Sequence, residues 1–587
     1  MKPVAFDVET TGLQWTADEL FLAQFGEPGE AAAYDHPHDR LGIQARLLDD
    51  AAFYAHNTKF DMHFAQSAGY TLPSLDRWHD TKVMASLIDE RTSTALKART
   101  TALGATEATN EKAVKDWLAA EARRRKQLSK ETGDEFKPPT YGNVPDEIMH
   151  PYALEDIELT HHLRENYEPI IRNDPELNDL YEMERGVMVG LYKAERRGIP
   201  VDREAAALLE AELLNAHERI EETCVELAGI PHFNPRSPKQ VGEALKRRSA
   251  PLSHATLVDG LPKTDEENLL AIDDDLARAI LDYRGAQKMY AMVRAILHGK
   301  DDGTAPFLHT DDRLHPFFWQ NGARTGRMSC SDPNIQQWHR DDLRLRYLVE
   351  ASPGHKLVTC DLDAIEMRIF AAFCGPGPLL DMMRGDGDPH VAAARASSLG
   401  TRRRSTGEVE SERQRGKVFN YSVMYGAGVR SMRKQFGFDT QRARKALDDY
   451  HRAFPEVLGL QQRIEYALYD KGYVKTPWGR RQRVDKFVDR EAYKFTNYLI
   501  QGTAADLLKQ SLVKADAAGL PVIAAVHDEL IVEVPEADAE EAARELQRAM
   551  TDDDGRLSSI IPIEAEPQIV DRWSDAKTPG YVPDYAR

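Results

Sequence analysis

Residues 356–373 read KLVTCDLDAIEMRIFAAF, and this stretch decides how the larger part of the chain is built. It opens as an apolar strand and continues as a helix. Asp361 falls at the strand's end, where open sheets commonly leave a cleft. A second apolar stretch, PVIAAVHDELIVEVP at 521–535, is broken by His527, Asp528 and Glu529. Three polar residues between two apolar strands make a poor core and a good hairpin tip. Taken alone, HDE is an ordinary polar turn. Set beside Asp361, Asp528 becomes a candidate for a shared two-metal site.

Between these stretches lie Arg413, Lys417, Tyr421 and Tyr425, each four residues from the last. On a helix they share one face. Two cations followed by two aromatics can hold a triphosphate and then stack on bases. The competing reading is an amphipathic helix with a basic exposed end and tyrosines in the core. Gly426 and Gly428 then end the helix.

A further set of acidic residues sits at the other end of the chain. In VAFDVE, a strand, Asp7 and Glu9 are two apart and share a face. FYAHNTKFDMHFAQSAGY (53–70) reads as helical, with Asn57 and Asp61 four apart on one face. In the helical YALEDIELTHHLREN, Tyr152 and Asp156 are also four apart. Four carboxylates and a phenol thus come from three elements. Oxygen ligands suit hard divalent cations, and a pair of such ions can activate water for phosphodiester hydrolysis.

The chain has 587 residues, 42% of them hydrophobic, with 76 Lys+Arg against 96 Asp+Glu and a net charge of −20. This length suggests roughly three to four domains. The composition excludes a disordered chain and a protein that coats nucleic acid by bulk positive charge. The N-terminus lacks a secretion signal, and no apolar stretch approaches membrane-span length. Cys224, Cys330, Cys360 and Cys374 show no metal-site spacing, so buried thiols in a reducing cytoplasm are expected. AEARRRKQLSKETGDEFKPPTYGN (120–143) reads as an exposed polar excursion. ELNDLYEMERGVMVGLYKAERRGI (176–199) and DREAAALLEAELLNAHERIEETCVELAG (202–229) are helical, with a polar interruption at FNPRSPKQ (233–240). PEADAEEAARELQRAMTDDDG (535–555) reads as a solvated outer helix and turn.

The order DxE, NxxxFD, YxxxD resembles the 3′→5′ exonuclease superfamily, which uses four acidic residues and a tyrosine. RxxxKxxxYxxxYG, DLDAIEMR and VHDE resemble the nucleotide-binding helix and the first and last palm motifs of family A DNA polymerases. TGRMSCSDPNIQ (325–336), DPH (388–390), GYVKTPWGRRQR (472–483) and NYLIQGTAADLLK (497–509) agree with that family, in its order. So do FNPRSPKQVGEAL, KTDEENLL and ILDYRGAQK in the helical region. The likeness covers essentially the whole chain.

The resemblance implies an RNase H-like exonuclease domain at 1–170, followed by a right-hand polymerase. Connector and helical thumb would occupy 171–340, palm 341–390, fingers 391–490 and the second part of the palm 491–587. It implies a DNA-templated DNA polymerase with proofreading, using two Mg²⁺ per site, replaceable by Mn²⁺. Asp361, Asp528 and the Leu362 carbonyl would bind metal in one site, with Glu529 close by. Asp7, Glu9, Asp61 and Asp156 would bind it in the other, with Tyr152 orienting the attacking water. Thr10, Leu13 and Asn57 would lie near the 3′-terminal nucleotide. Arg413, Lys417 and His390 would grip the triphosphate, with Lys417 also able to donate a proton. Glu366 would exclude a ribose 2′-hydroxyl, Tyr425 would hydrogen-bond Glu366, and Tyr421 would favour dideoxynucleotides. Arg327, Asn497, Gln501 and His527 would track primer–template DNA.

The first palm motif departs from the family where Ser-Gln is replaced by Asp363-Ala364, and a frequent Arg is replaced by Tyr493. The chain begins at the first exonuclease strand, so no 5′-nuclease domain is expected, and the layout is phage-like. A monomer in the cytoplasm, the host's if phage-encoded, is expected, with replication accessory proteins as possible partners. The alternatives are an exonuclease with a degenerate polymerase half, a single-subunit RNA polymerase and a non-catalytic clamp. Two segments gather positive charge. Arg402–Lys434 carries nine basic residues against three acidic, and Lys471–Lys494 eight against three. Both belong to the expected cleft.

Overall fold

The computed structural model describes every residue except 28, 106–108, 252–255, 339–341, 386, 404–408 and 486–491. Arg404, Glu408, Lys486, Asp489, Arg490 and Glu491, which belong to the two basic segments, lie outside the described residues. The chain divides into two compact units. The first comprises Met1–Arg197, Phe318–Cys330 and Val358–Ile569; the second comprises Gly198–Phe317, Ser331–Leu357 and Val570–Arg587.

The first unit begins with a five-stranded sheet of order β3-β2-β1-β4-β5. These strands are β1 (Lys2–Thr10), β2 (Leu20–Glu27), β3 (Glu30–Asp35), β4 (Ala51–Ala55) and β5 (Trp78–Asp80). The first three run antiparallel to their neighbours, while β4 and β5 join in parallel, as a mixed α/β layer requires. Phe6, Phe25, Phe53 and Trp78 fill its core. The helical reading of 53–70 is corrected at its start: Phe53, Tyr54 and Ala55 complete β4, and the helix spans Thr58–Ser67. Asn57 is its N-cap at φ +83°, not a residue on its face. The short buried run AAFYA satisfies its backbone in the sheet between two parallel neighbours, which overrides the helical period.

The polar excursion at 120–143 is largely exposed, as expected, but its first part is helical. Asn110–Thr132 forms a helix, ended by Gly133 in the left-handed region at φ +79°. Its good helix formers and Val114, which is fully buried, account for this. A four-stranded sheet follows in the order Val522–Val526, Glu529–Pro535, His355–Leu362, Ala565–Val570. Its hairpin turns through His527 and Asp528, with His527 at φ +58°. The helix Ala539–Thr551 is not wholly solvated: Ala542, Leu546 and Met550 are buried, and Asp553 accepts the Gly555 and Ser558 amides at 3.1 and 2.9 Å.

In the second unit, helices Arg203–Ala228 and Asp275–His298 pack together over Phe233, Val241, Leu245 and Tyr283. Ser237 caps the helix Pro238–Arg247, which explains the polar interruption at 233–240. All four cysteines are buried, and none is joined in a disulfide. Among the described residues no helix is long and apolar enough to cross a membrane.

Candidate active sites

Asp7 and Glu9 project from one face of β1, and Asp156 reaches them from the helix Asp146–Arg172. Ligand oxygens of the three lie within 4.8 Å of one another. Asp61 accepts the Val8 amide at 3.2 Å, which fixes the Thr58–Ser67 helix against β1. Gln24, directly across from Asp7 on β2, donates to it at 2.5 Å. Burial, reinforced by Asp156, pushes the Asp7 carboxyl up to about 8. Burial and the Asp7 charge hold Glu9 and Asp61 well above the usual carboxylate range. So crowded an all-oxygen set ionises readily only beside a cation, and therefore fits a hard divalent metal.

Sequence reasoning missed Lys97. Its Nζ lies 3.2 Å from Asp156 and 4.2 Å from the Tyr152 ring centroid. It is the nearby positive charge that lowers the Asp7, Glu9 and Asp156 carboxyls against burial. The lysine sits in no motif, and only its position beside Asp156 reveals it. Asn57 is held by its backbone N–H, which donates to the Asp80 carboxylate at 3.2 Å. Thr10 turns its hydroxyl to the Gly12 carbonyl at 2.6 Å, and Leu13 is 83% exposed, leaving an apolar side chain open to a ligand.

The second site forms where the strand His355–Leu362 meets the His527–Asp528 turn. The Leu362 amide donates to the Asp528 carbonyl at 3.1 Å, which brings Asp361 and Asp528 to adjacent strand ends. Glu529 is buried beside them. Across this edge, the helix Glu412–Met424 carries Arg413, Lys417 and Tyr421, with Tyr425 as its C-cap. Ser411 and Gln414 form its capping box. Gly426 takes φ +74° after the cap, and a Cβ there would strike Tyr493. The residue that replaces the frequent Arg is thus a packing partner of this helix end.

Glu366 is pinned from both sides: Arg327 donates to one oxygen and the Tyr425 hydroxyl to the other at 2.5 Å. Burial, then Glu366, Asp528 and Asp363, push the Tyr421 phenol up to about 12, so it stays protonated and can donate. His390 lies 6.0 Å from the Tyr421 ring, between centroids, and pairs with Asn420 at 3.1 Å. Burial, with Arg413 and Lys417 nearby, lowers it to about 4 although Asp388 opposes this. Arg413 is held by Asp388 at 2.5 Å. The Asp363-Ala364 departure has a local explanation. Asp363 lies 3.3 Å from Arg368, which also bonds Glu564, and Ala364 adopts φ +48° as the N-cap of the next helix. Asn497 and Gln501 lie on the helix Ala492–Ala517, one turn apart.

Residues 203–575 match the family model described as DNA polymerase family A, and residues 1–172 match the model described as 3′-5′ exonuclease. The protein belongs to DNA polymerase family A. DNA polymerase I of Pseudomonas aeruginosa is 28% identical over 609 residues, 98% of this chain and 63% of the relative. DNA polymerase I of Chloroflexus aurantiacus is 28% identical over 610 residues, 97% of this chain and 61% of the relative. The chain therefore spans less than two thirds of these relatives' length. Among solved structures, the POL domain of Pol1 from M. smegmatis, in complex with DNA primer-template and dNTP, shares the fold. It has a TM-score of 0.73 at 23% identity, covering 98% of this chain and 95% of that one.

Proposed function

We propose that this chain extends a DNA primer on a template and trims mispaired 3′ ends at a separate hydrolytic site. The observation that supports the reading is that Asp7, Glu9 and Asp156 converge, and that Asp361 and Asp528 lie at adjacent strand ends near the helix bearing Arg413 and Lys417. The domain limits 1–170, 171–340, 341–390, 391–490 and 491–587 belong to this reading, as does work in the cytoplasm alongside replication accessory proteins.

At the polymerising site, Asp361, Asp528 and the Leu362 carbonyl hold Mg²⁺, and Glu529 supports the primer terminus. At the hydrolytic site, Asp7, Glu9, Asp61 and Asp156 hold it. Two Mg²⁺ per site, replaceable by Mn²⁺, supply activation of the attacking oxygen and neutralisation of phosphate charge. Arg413 and Lys417 bind the deoxynucleoside triphosphate, and Lys417 gives a proton to the departing pyrophosphate. His390, neutral at physiological pH, contributes a hydrogen bond rather than charge. Glu366 fills the space a 2′-hydroxyl would need, and the Tyr421 phenol stands in for a missing 3′-hydroxyl, so dideoxynucleotides are accepted. Arg327, Asn497, Gln501 and His527 follow the primer–template. At the other site Tyr152 orients the attacking water, while Asn57, Thr10 and Leu13 hold the terminal nucleotide.

Primer extension and 3′ digestion by two variants test this. Asp361→Ala is expected to abolish extension and keep digestion, and Asp7→Ala to do the reverse. Extension by the Asp361 variant removes the polymerase reading. A wild-type chain that digests but never extends would mark the polymerase half as a degenerate DNA-binding module.

A further inference from the structure

The helix Asn110–Thr132 changes character along its length. Its first turns mix signs, with Glu111, Lys112, Lys115 and Asp116. Residues 122–130 then carry Arg123, Arg124, Arg125, Lys126 and Lys130 and no acidic residue, in a chain of net charge −20. A solvated helix commonly alternates signs. Glu121 takes up Arg124 at 2.7 Å and Arg125 at 2.9 Å. Arg123, Lys126 and Lys130 are exposed, lie three and four apart on one flank, and form no ion pair among the described residues.

The base of this helix is built into the hydrolytic site. Val114 packs with Leu22, Met149 and Ala153, and Trp117 lies in the same cluster as Tyr152. Asn110 donates to the Pro151 carbonyl at 3.2 Å, the residue before Tyr152. At 1.5 Å per residue, Arg123 stands about 14 Å and Lys130 about 24 Å along the axis beyond Val114.

We propose that this flank binds the single-stranded DNA being trimmed, gripping phosphates upstream of the terminal nucleotide. The proposal rests on the exonuclease reading above. Charge complementarity selects a polyanion. Continuity with the hydrolytic site selects the strand that site must hold. The flank offers one exposed large apolar residue, Leu128, which is little for an acidic protein to bury.

The test compares the full chain with R123Q/K126Q/K130Q in steady-state trimming of a single strand of about ten nucleotides across a KCl series. Circular dichroism melts establish that the variant is folded. KM is expected to rise about tenfold at low salt while kcat holds. The log–log salt slope is expected to shrink by about 2, near 0.7 for each phosphate left without its cation. R123K/K126R/K130R should restore both. Equal KM and salt slope in wild type and the Gln variant overturn the proposal, as does a loss that the charge-retaining variant fails to restore. A wild-type chain that trims nothing, beside an equally silent Asp7→Ala control, defeats the exonuclease reading instead.

Discussion

Glu366 shows how one residue's role depends on what holds it. A free glutamate samples many rotamers and makes a weak steric gate. Here one carboxylate oxygen is bonded by Arg327 and the other by Tyr425 at 2.5 Å. A hydrogen bond to a charged group is worth about 1.5–3 kcal/mol. Tyr425→Phe removes one of the two and lets the carboxylate swing. Discrimination against ribonucleotides, read as the kcat/KM ratio of dCTP to CTP, is expected to fall about tenfold, with Glu366→Ala as the lower bound. An unchanged ratio would show that Arg327 alone suffices. The Glu366–Tyr425 pair was implied by the resemblance to family A DNA polymerases, and the hydroxyl does meet the carboxylate. The Arg327 bond was not implied, because sequence resemblance placed that arginine on DNA and gave no view of the chain without it.

At the level of elements, the Thr58–Ser67 helix must deliver Asp61 to β1. It is anchored from its far side by Glu195, which accepts His63 at 2.6 Å, the Phe318 amide at 2.7 Å, and Lys59. Lys59 also donates to the Phe318 carbonyl at 2.6 Å. Both charged side chains are buried. Glu195→Ala would leave an uncompensated buried ammonium, costing about 3–5 kcal/mol. The expected outcome is a lower melting temperature and a larger loss in 3′ digestion than in primer extension, because Asp61 rides on the loosened helix. Equal losses in both activities would mean that the anchor serves general stability. The sequence made a helix carrying Asp61 readable, although the Asn57–Asp61 spacing does not put both on one face, since Asn57 is the N-cap. The sequence could not make Glu195 readable, since no pattern links Lys59 to a residue 136 positions away. Likewise the strand Ala51–Ala55 was hidden in a helical-looking run, because its burial by parallel neighbours is a tertiary fact.

On the scale of the whole chain, charge and protonation are distributed unevenly. The order of the motifs implied two sites through its resemblance to known families, since a motif such as HDE taken alone is an ordinary polar turn. The electrostatic state of buried groups needed coordinates, because desolvation depends on everything packed around a side chain. Burial lowers His56 and His79 to about 3 and His63 to about 4, with Lys82, Arg185 and, for His63, the Lys59 charge adding to it. In the unfolded chain such rings take up protons near pH 6.5. Between about pH 6.5 and 4 the folded state therefore binds fewer protons than the unfolded state, so stability rises with pH and is lost as pH falls through this window. Taken by themselves these rings lower the urea midpoint between about pH 7 and pH 5, while the raised Asp7, Glu9 and Asp61 carboxyls act in the opposite sense. His79→Gln isolates one contributor: its ring stacks on Tyr54 at 4.5 Å and its Nδ1 meets the Tyr181 hydroxyl at 3.1 Å. That variant is expected to start from a lower midpoint at pH 7 but to lose less on acidification, by up to about 1.4 kcal/mol per pH unit for one proton. A slope equal to wild type would show that the ring takes up its proton without unfolding.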